Sequence, residues 1–126
     1  MSEENPRGEL TTRTLAMPAD ANPAGDIFGG YVLAQMDIAG GICAAERAQC
    51  RVVTVALDSM HFIRPVKIGD VLCVYTEIER VGTSSLDIHV EAWAQRDRSR
   101  RMVKVTEAKL TFVALGADGR PRPLPK

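Results

Sequence analysis

After Cys50 the spacing of apolar residues in this chain switches from helical to alternating, and no other feature constrains the fold as tightly. Upstream, Val32, Met36, Ala39 and Cys43 recur at helical spacing in a stretch rich in Ala, Leu, Met, Gln and Glu, which predicts one core-facing helix over residues 29–49. Downstream come four long β-prone segments separated by turn signals. In one of them Leu86, Ile88, Val90, Ala92 and Ala94 alternate with Asp87, His89, Glu91, Trp93 and Gln95, the pattern of a strand buried on one face. Leu72, Val74 and Ile78 repeat the pattern one strand earlier, and Met102, Ala108, Leu110 and Phe112 repeat it more loosely one strand later. A shorter run from Leu10 to Met17, closed by Pro18, adds a strand ahead of the helix. The predicted class is α+β, an antiparallel sheet wrapped around one long central helix.

One helix covers one face of such a sheet, which leaves Val53, Val55, Leu57, Val71, Tyr75, Trp93, Val103, Val105 and Val113 for the other. That is too much apolar surface for a solvated monomer, so further chains are expected to cover it. The 126 residues suit one domain, expected over 9–115, with a polar tail at 1–8 and a Pro- and Gly-rich tail at 116–126. Sixteen basic residues balance sixteen acidic ones, so no overall field attracts nucleic acid or a membrane surface. Cys43, Cys50 and Cys73 are odd in number and form no C-x-x-C pair, against a disulfide framework or structural zinc and in favour of reduced thiols. The opening MSEENPRGE is acidic where a secretory signal needs a basic start and an apolar run, so a cytoplasmic location is expected.

The chain has no G-x-S-x-G elbow, no H-E-x-x-H and no phosphate loop, so serine-hydrolase, zincin and P-loop chemistries are not expected. Asp58, Ser59 and His61 do not read as a triad, because on one strand Ser59 and His61 share a face while Asp58 points the other way. His89 between Asp87 and Glu91 reads as a solvated strand face, and His61 as a buried or interfacial structural histidine.

The segment 22–37, NPAGDIFGGYVLAQMD, departs from a plain structural pattern. It opens on the turn-former Asn22 and places Gly29 and Gly30 at the helix start, where free amides carry partial positive charge and glycine lets a ligand approach the backbone. The glycines serve either a carbonyl-binding site or a tight turn into the helix. Asp37 falls mid-helix between Met36 and Ile38, on a stripe with Leu33, Gly40, Gly41 and Ala44, whose small residues leave room for another backbone or a narrow ligand. A solvent-facing Asp on a glycine-weakened helix is the alternative. Gly29 and Asp37 lie about 12 Å apart along a helix, so one carbonyl engages both only if they come from different subunits at a dimer interface.

With these residues in view the chain resembles the bacterial YciA-like acyl-CoA thioesterases of the hotdog superfamily, through TLAMPAD, GDIFGG, QMD, RVVTVALDSMHFIRPVKIGDV, VGTSS and TFVA, over nearly its whole length. The resemblance implies a hotdog subunit paired so that two sheets join into one, a homodimer assembled further into tetramers or hexamers. It implies hydrolysis of acyl-CoA thioesters to free acid and coenzyme A, without a metal or any cofactor. By motif match Asp37 is similar to the catalytic carboxylate, Asn22 to the polar residue opposite it across the dimer, Gly29 or Gly30 to the carbonyl-polarising amide, and Thr54 to a position lining the pocket. For coenzyme A it points to Arg64 and to the turn of Gly82, Thr83, Ser84 and Ser85, whose amides and hydroxyls suit phosphate oxygens. His61 stands where relatives often carry Asn. The competing readings are a hotdog hydratase or dehydratase, which calls for a His beside an acid, and a non-catalytic acyl-CoA-binding module.

Overall fold

The computed structural model describes residues 5–126, so residues 1–4 of the expected N-terminal tail lie outside it. Strand β1 (Glu9–Leu15) and a short 3-10 turn (Pro18–Asp20) precede the helix α1 (Gly29–Ala48), and β2 (Arg51–Phe62), β3 (Val71–Val81), β4 (Ser85–Gln95) and β5 (Met102–Leu115) follow. The five strands form one antiparallel sheet in the order β1-β3-β4-β5-β2. This is the α+β arrangement that the change of period predicts.

The helix begins at Gly29 without a side-chain cap on Phe28 and ends where Gln49 turns left-handed, its N–H bonded to the Ala45 carbonyl. Its buried stripe is Val32, Met36, Ala39, Gly40, Ala44 and Ala48, and it touches all five strands. Small residues at 39, 40 and 44 let α1 lie close to the sheet. At Gly40 a Cβ would come within 3.1 Å of the Phe112 ring, so the space this glycine leaves is filled by the protein's own core and not by a ligand. Leu72, Leu86, Ile88, Val90, Ala92, Ala94, Leu110 and Phe112 close the core from the sheet side, as their alternation predicts.

The other face of β4 departs from expectation. Asp87, His89, Glu91 and Trp93 are buried too, because long side chains of neighbouring strands and Arg7 lie across them. Val105, expected on that outer face, joins the helix-side core, since an irregularity between Ala92 and Trp93 shifts the register of β4 against β5 at this point. Ile78, expected in the core, is exposed.

Residues 116–126 fold back onto the domain. The amide of Arg122 bonds the Ala114 carbonyl at 2.9 Å, that of Leu124 bonds Thr83 at 2.8 Å, and the Leu124 side chain is buried. Among the described residues no helix is long and apolar enough to cross a membrane.

Strand β2 is the outermost strand on its side of the sheet, 12 residues long, with Val55, Leu57 and Phe62 exposed along it. A long apolar edge of this kind is a template for pairing with another strand.

Candidate active site

Asp37 sits one position past the buried Met36 on α1, which turns its half-buried carboxylate away from the core and towards β2. There Thr54 Oγ1 donates to Asp37 Oδ1 at 2.5 Å. Helix and edge strand thus fix one carboxylate oxygen, and among the described residues the other has no hydrogen-bond partner.

Asn22 lies in a second place. Its Oδ1 accepts from the amides of Ala24 and Asp26 at 3.0 and 3.1 Å, a side-chain-closed turn that leaves the carboxamide nitrogen to donate elsewhere. Backbone bonds from Ile27 to Val66 and from Phe28 to Asp20, with an ion pair between Lys67 and Asp26, hold the loop in front of the helix. Asn22, Gly29, Phe62, Arg64 and Pro65 line a cleft of about 360 Å³. A Cβ on Gly29 would come within 3.3 Å of the tip of the exposed Phe62 ring, a tight contact, while nothing lies within 4 Å of the corresponding point on Gly30. No protein acceptor among the described residues takes the Gly29 or Gly30 amide, so these helix-start donors are unsatisfied, with Gly29 on the wall of the cleft.

The predicted residues therefore fall into three groups. Asp37 and Thr54 are together, and Asn22, Gly29 and Arg64 are together. Thr54 and Phe62, which mark the two groups on β2, are eight residues apart, roughly 25 Å along a strand. The turn at Gly82–Ser85 stands at the opposite end of the sheet from Arg64: Ser85 pairs with Val113, whereas the Arg64 amide bonds the Val105 carbonyl. One protomer cannot present both to one phosphate. Of that turn's acceptors, the carbonyls of Thr83 and Ser84 are already bonded by Leu124 and Ala114.

His61 is not buried in the protomer; it is exposed on the edge strand β2, a position that agrees with the interfacial alternative, and has no acidic partner among the described residues. Ser59 bonds Asp58 at 3.1 Å in a left-handed backbone conformation, and no triad forms. His89 is not solvated: it is buried and bonds Glu91 at 2.8 Å. Glu91 also accepts from Trp93 Nε1 at 2.9 Å and from the Arg7 amide at 3.2 Å. Ligand atoms of His89, Glu91 and Glu107 come close enough to hold a metal, but the Lys104 ammonium pairs with Glu107 and lies 3.9 Å from Glu91, so a cation of the protein's own already sits against both carboxylates.

Burial would raise the Glu91 pKa, yet the bonds from His89, Trp93 and the Arg7 amide, with the charge of Lys104, outweigh it and hold the carboxyl below its usual range. Because the folded value lies below the unfolded one, this stabilisation is complete above the ordinary glutamate pKa and disappears as pH falls through the folded value. We expect Glu91→Ala to cost about 3 kcal/mol in urea unfolding at neutral pH and matched protein concentration, by stranding buried donors. The gap between parent and variant should narrow below about pH 4; a gap that stays constant into acid would show that the charge is not what stabilises.

Residues 24–100 match the family model of the thioesterase superfamily. The chain belongs to this family. Over 126 residues this superfamily member is 50% identical to the acyl-CoA thioester hydrolase YciA of Salmonella typhimurium, covering 98% of the chain and 95% of the relative. Among solved structures it is similar to the hexameric thioesterase y2039 from Yersinia pestis, at 50% identity and a TM-score of 0.91, over 97% of this chain and 99% of that one. It is also similar to an acyl-CoA hydrolase from Staphylococcus aureus solved with butyryl coenzyme A, at 32% identity and a TM-score of 0.85, over 90% and 70%. That hydrolase has also been solved as an Asn-to-Ala and as an Asp-to-Ala variant, the two positions 15 apart, the separation of Asn22 from Asp37 in this thioesterase-superfamily chain. The fold of this member is the hotdog, a five-stranded antiparallel sheet with one long helix.

Proposed function

We propose that the chain hydrolyses acyl-CoA thioesters to a free acid and coenzyme A, at sites each built by two protomers. One observation carries this reading: Asp37 with Thr54, and the Asn22 cleft with its unsatisfied helix-start amides, lie towards opposite ends of the same unpaired edge strand. If β2 pairs antiparallel with its two-fold copy near Asp58, the Thr54 end of one strand meets the Phe62 end of the other. Asp37 of one protomer then stands beside the partner's cleft. The join also covers the exposed Val55, Leu57 and Phe62, and the relatives' assembly supports a hexamer of three such dimers.

In this arrangement the amide of Gly29 or Gly30 polarises the thioester carbonyl at the positive end of α1. The Asp37 carboxylate takes a proton from water as it attacks the carbonyl carbon, or attacks that carbon itself with water cleaving the anhydride afterwards. The C–S bond breaks and the departing thiolate of coenzyme A is protonated, by Asp37 in the first route and by solvent water in the second, while the acid gives its remaining proton to solvent and leaves as carboxylate. Thr54 orients Asp37, and the free carboxamide nitrogen of Asn22 holds the water or the carbonyl from the opposite side. Water and a carboxylate suffice for this chemistry, and no metal or cofactor is needed. Three free cysteines fit a reducing compartment, the cytoplasm.

The test is a thiol-trapping assay over short, medium, long and aromatic acyl-CoA esters, with butyryl-CoA as the first probe. Stoichiometric release of coenzyme A from at least one class is expected; no release from any of them defeats the reading. Asn22→Ala should lower kcat with little change in coenzyme A binding, and Arg64→Ala chiefly raise KM.

A further inference from the structure

Three arginines near the cleft remain without a role. The connection between β4 and β5, residues 96–101, reads RDRSRR and holds four of the chain's sixteen basic residues in six positions. Arg96 is committed inside the protein, to Asp70 Oδ2 at 3.0 Å and to the Pro65 carbonyl at 2.5 Å. Arg98, Arg100 and Arg101 are exposed, and among the described residues their guanidinium groups meet no acceptor; Asp97 is the one acid in the loop. The hairpin is nevertheless shaped: Gln95 Nε2 donates to the Ser99 carbonyl, Ser99 Oγ donates to the Arg96 carbonyl and accepts from the Arg101 amide, and Asp97 and Arg98 adopt left-handed backbone angles. Arg96, Ser99 and Arg101 border a depression of about 550 Å³.

Position makes this patch informative. Both strands of the hairpin are tied to the rim of the Asn22 cleft, β4 through Arg96 to Pro65 and β5 through the Lys104 carbonyl, which accepts from Arg64 at 2.9 Å. The other cations near the rim are answered: Lys67 by Asp26, and Lys104 by Glu107. At the far end of the sheet, Arg80 beside the Gly82–Ser85 turn is answered by Asp87. A ligand whose reactive carbonyl lies in the cleft, and whose anionic end is a long flexible arm away, meets uncompensated positive charge at this hairpin. Coenzyme A has that build, with a 3′-phosphate and a diphosphate beyond its pantetheine arm, and arginine forks suit phosphate oxygens.

We propose that Arg98, Arg100 and Arg101 hold the phosphates of the nucleotide end of acyl-CoA and so make the enzyme select coenzyme A thioesters over those lacking the nucleotide. This rests on the thioester hydrolysis proposed for the chain. It assigns recognition of the anionic end to the hairpin in place of the Gly82–Ser85 turn of the same protomer.

The experiment compares the parent with the triple variant Arg98→Gln, Arg100→Gln, Arg101→Gln. Coenzyme A and pantetheine are titrated calorimetrically, and hydrolysis of butyryl-CoA, butyryl-pantetheine and a butyrylated acyl carrier protein is measured. We expect the Kd for coenzyme A to rise about tenfold or more at low salt, an effect that shrinks as salt screens the charges, with the Kd for pantetheine unmoved. The ratio of kcat/KM for butyryl-CoA to that for butyryl-pantetheine should fall by about the same factor. An unchanged Kd for coenzyme A, an equal loss for pantetheine, or a loss confined to the carrier protein would each overturn the proposal, the last by assigning the patch to an acidic protein. If the triple variant does not fold, the single changes Arg98→Gln and Arg101→Gln are read the same way. A parent that binds coenzyme A yet releases no thiol defeats the hydrolase reading alone, and the titrations still decide the hairpin.

Discussion

Asp37→Asn should lower kcat on butyryl-CoA by about a thousandfold while leaving the oligomer and its melting temperature unchanged. A positioned carboxylate acting as base contributes on the order of a hundred- to ten-thousandfold, and asparagine removes the basicity while keeping the shape. Thr54 Oγ1 can still donate to the remaining carbonyl oxygen at 37, so the local packing of α1 on β2 has no reason to change. Thiol trapping gives the rate and light scattering after gel filtration gives the mass. Turnover within a few-fold of the parent in a variant of native mass would remove Asp37 from the chemistry.

Mixing two impaired variants offers the second large effect. If each site takes Asp37 from one protomer and Asn22 from its partner, a dimer of an Asp37→Asn chain with an Asn22→Ala chain carries one site with both changes and one with neither. Random re-pairing of equal amounts makes half the dimers mixed, so activity should return to about a quarter of the parent level. Co-expression in equal amounts under one shared affinity tag, followed by assay of the whole purified pool, measures it. A mixture no more active than the average of its two components would mean that each protomer uses its own Asp37 and Asn22, against their roughly 25 Å separation along β2.

Period and turn chemistry made much of the secondary structure legible. The helix was expected over 29–49 and spans Gly29–Ala48, and the β4 residues Leu86 to Ala94 bury their predicted face, because apolar spacing encodes the direction in which each side chain leaves the backbone. The oddities of the site were also visible in one dimension: an acid amid a helix, and two glycines at its start. The pairing of Asp37 with Thr54 was accessible only as a likeness to a family, since the residues are 17 positions apart and meet only when α1 lies on β2.

Other properties belong to the tertiary structure alone. Alternation says that Glu91 and His89 point away from the helix, but not that Arg7 and Lys104 lie over them, so an apparently solvated face is a buried ionic network. Nor does it say that Arg64 and the Gly82–Ser85 turn end up at opposite ends of the sheet, while RDRSRR ends up beside the cleft. The amino-acid order by itself determined which residues form the helix and strands and which way they face, because that is local stereochemistry. What each face meets, and that the two halves of the site lie apart in one protomer, was decided by strand order and register, which are set by contacts between segments distant in sequence.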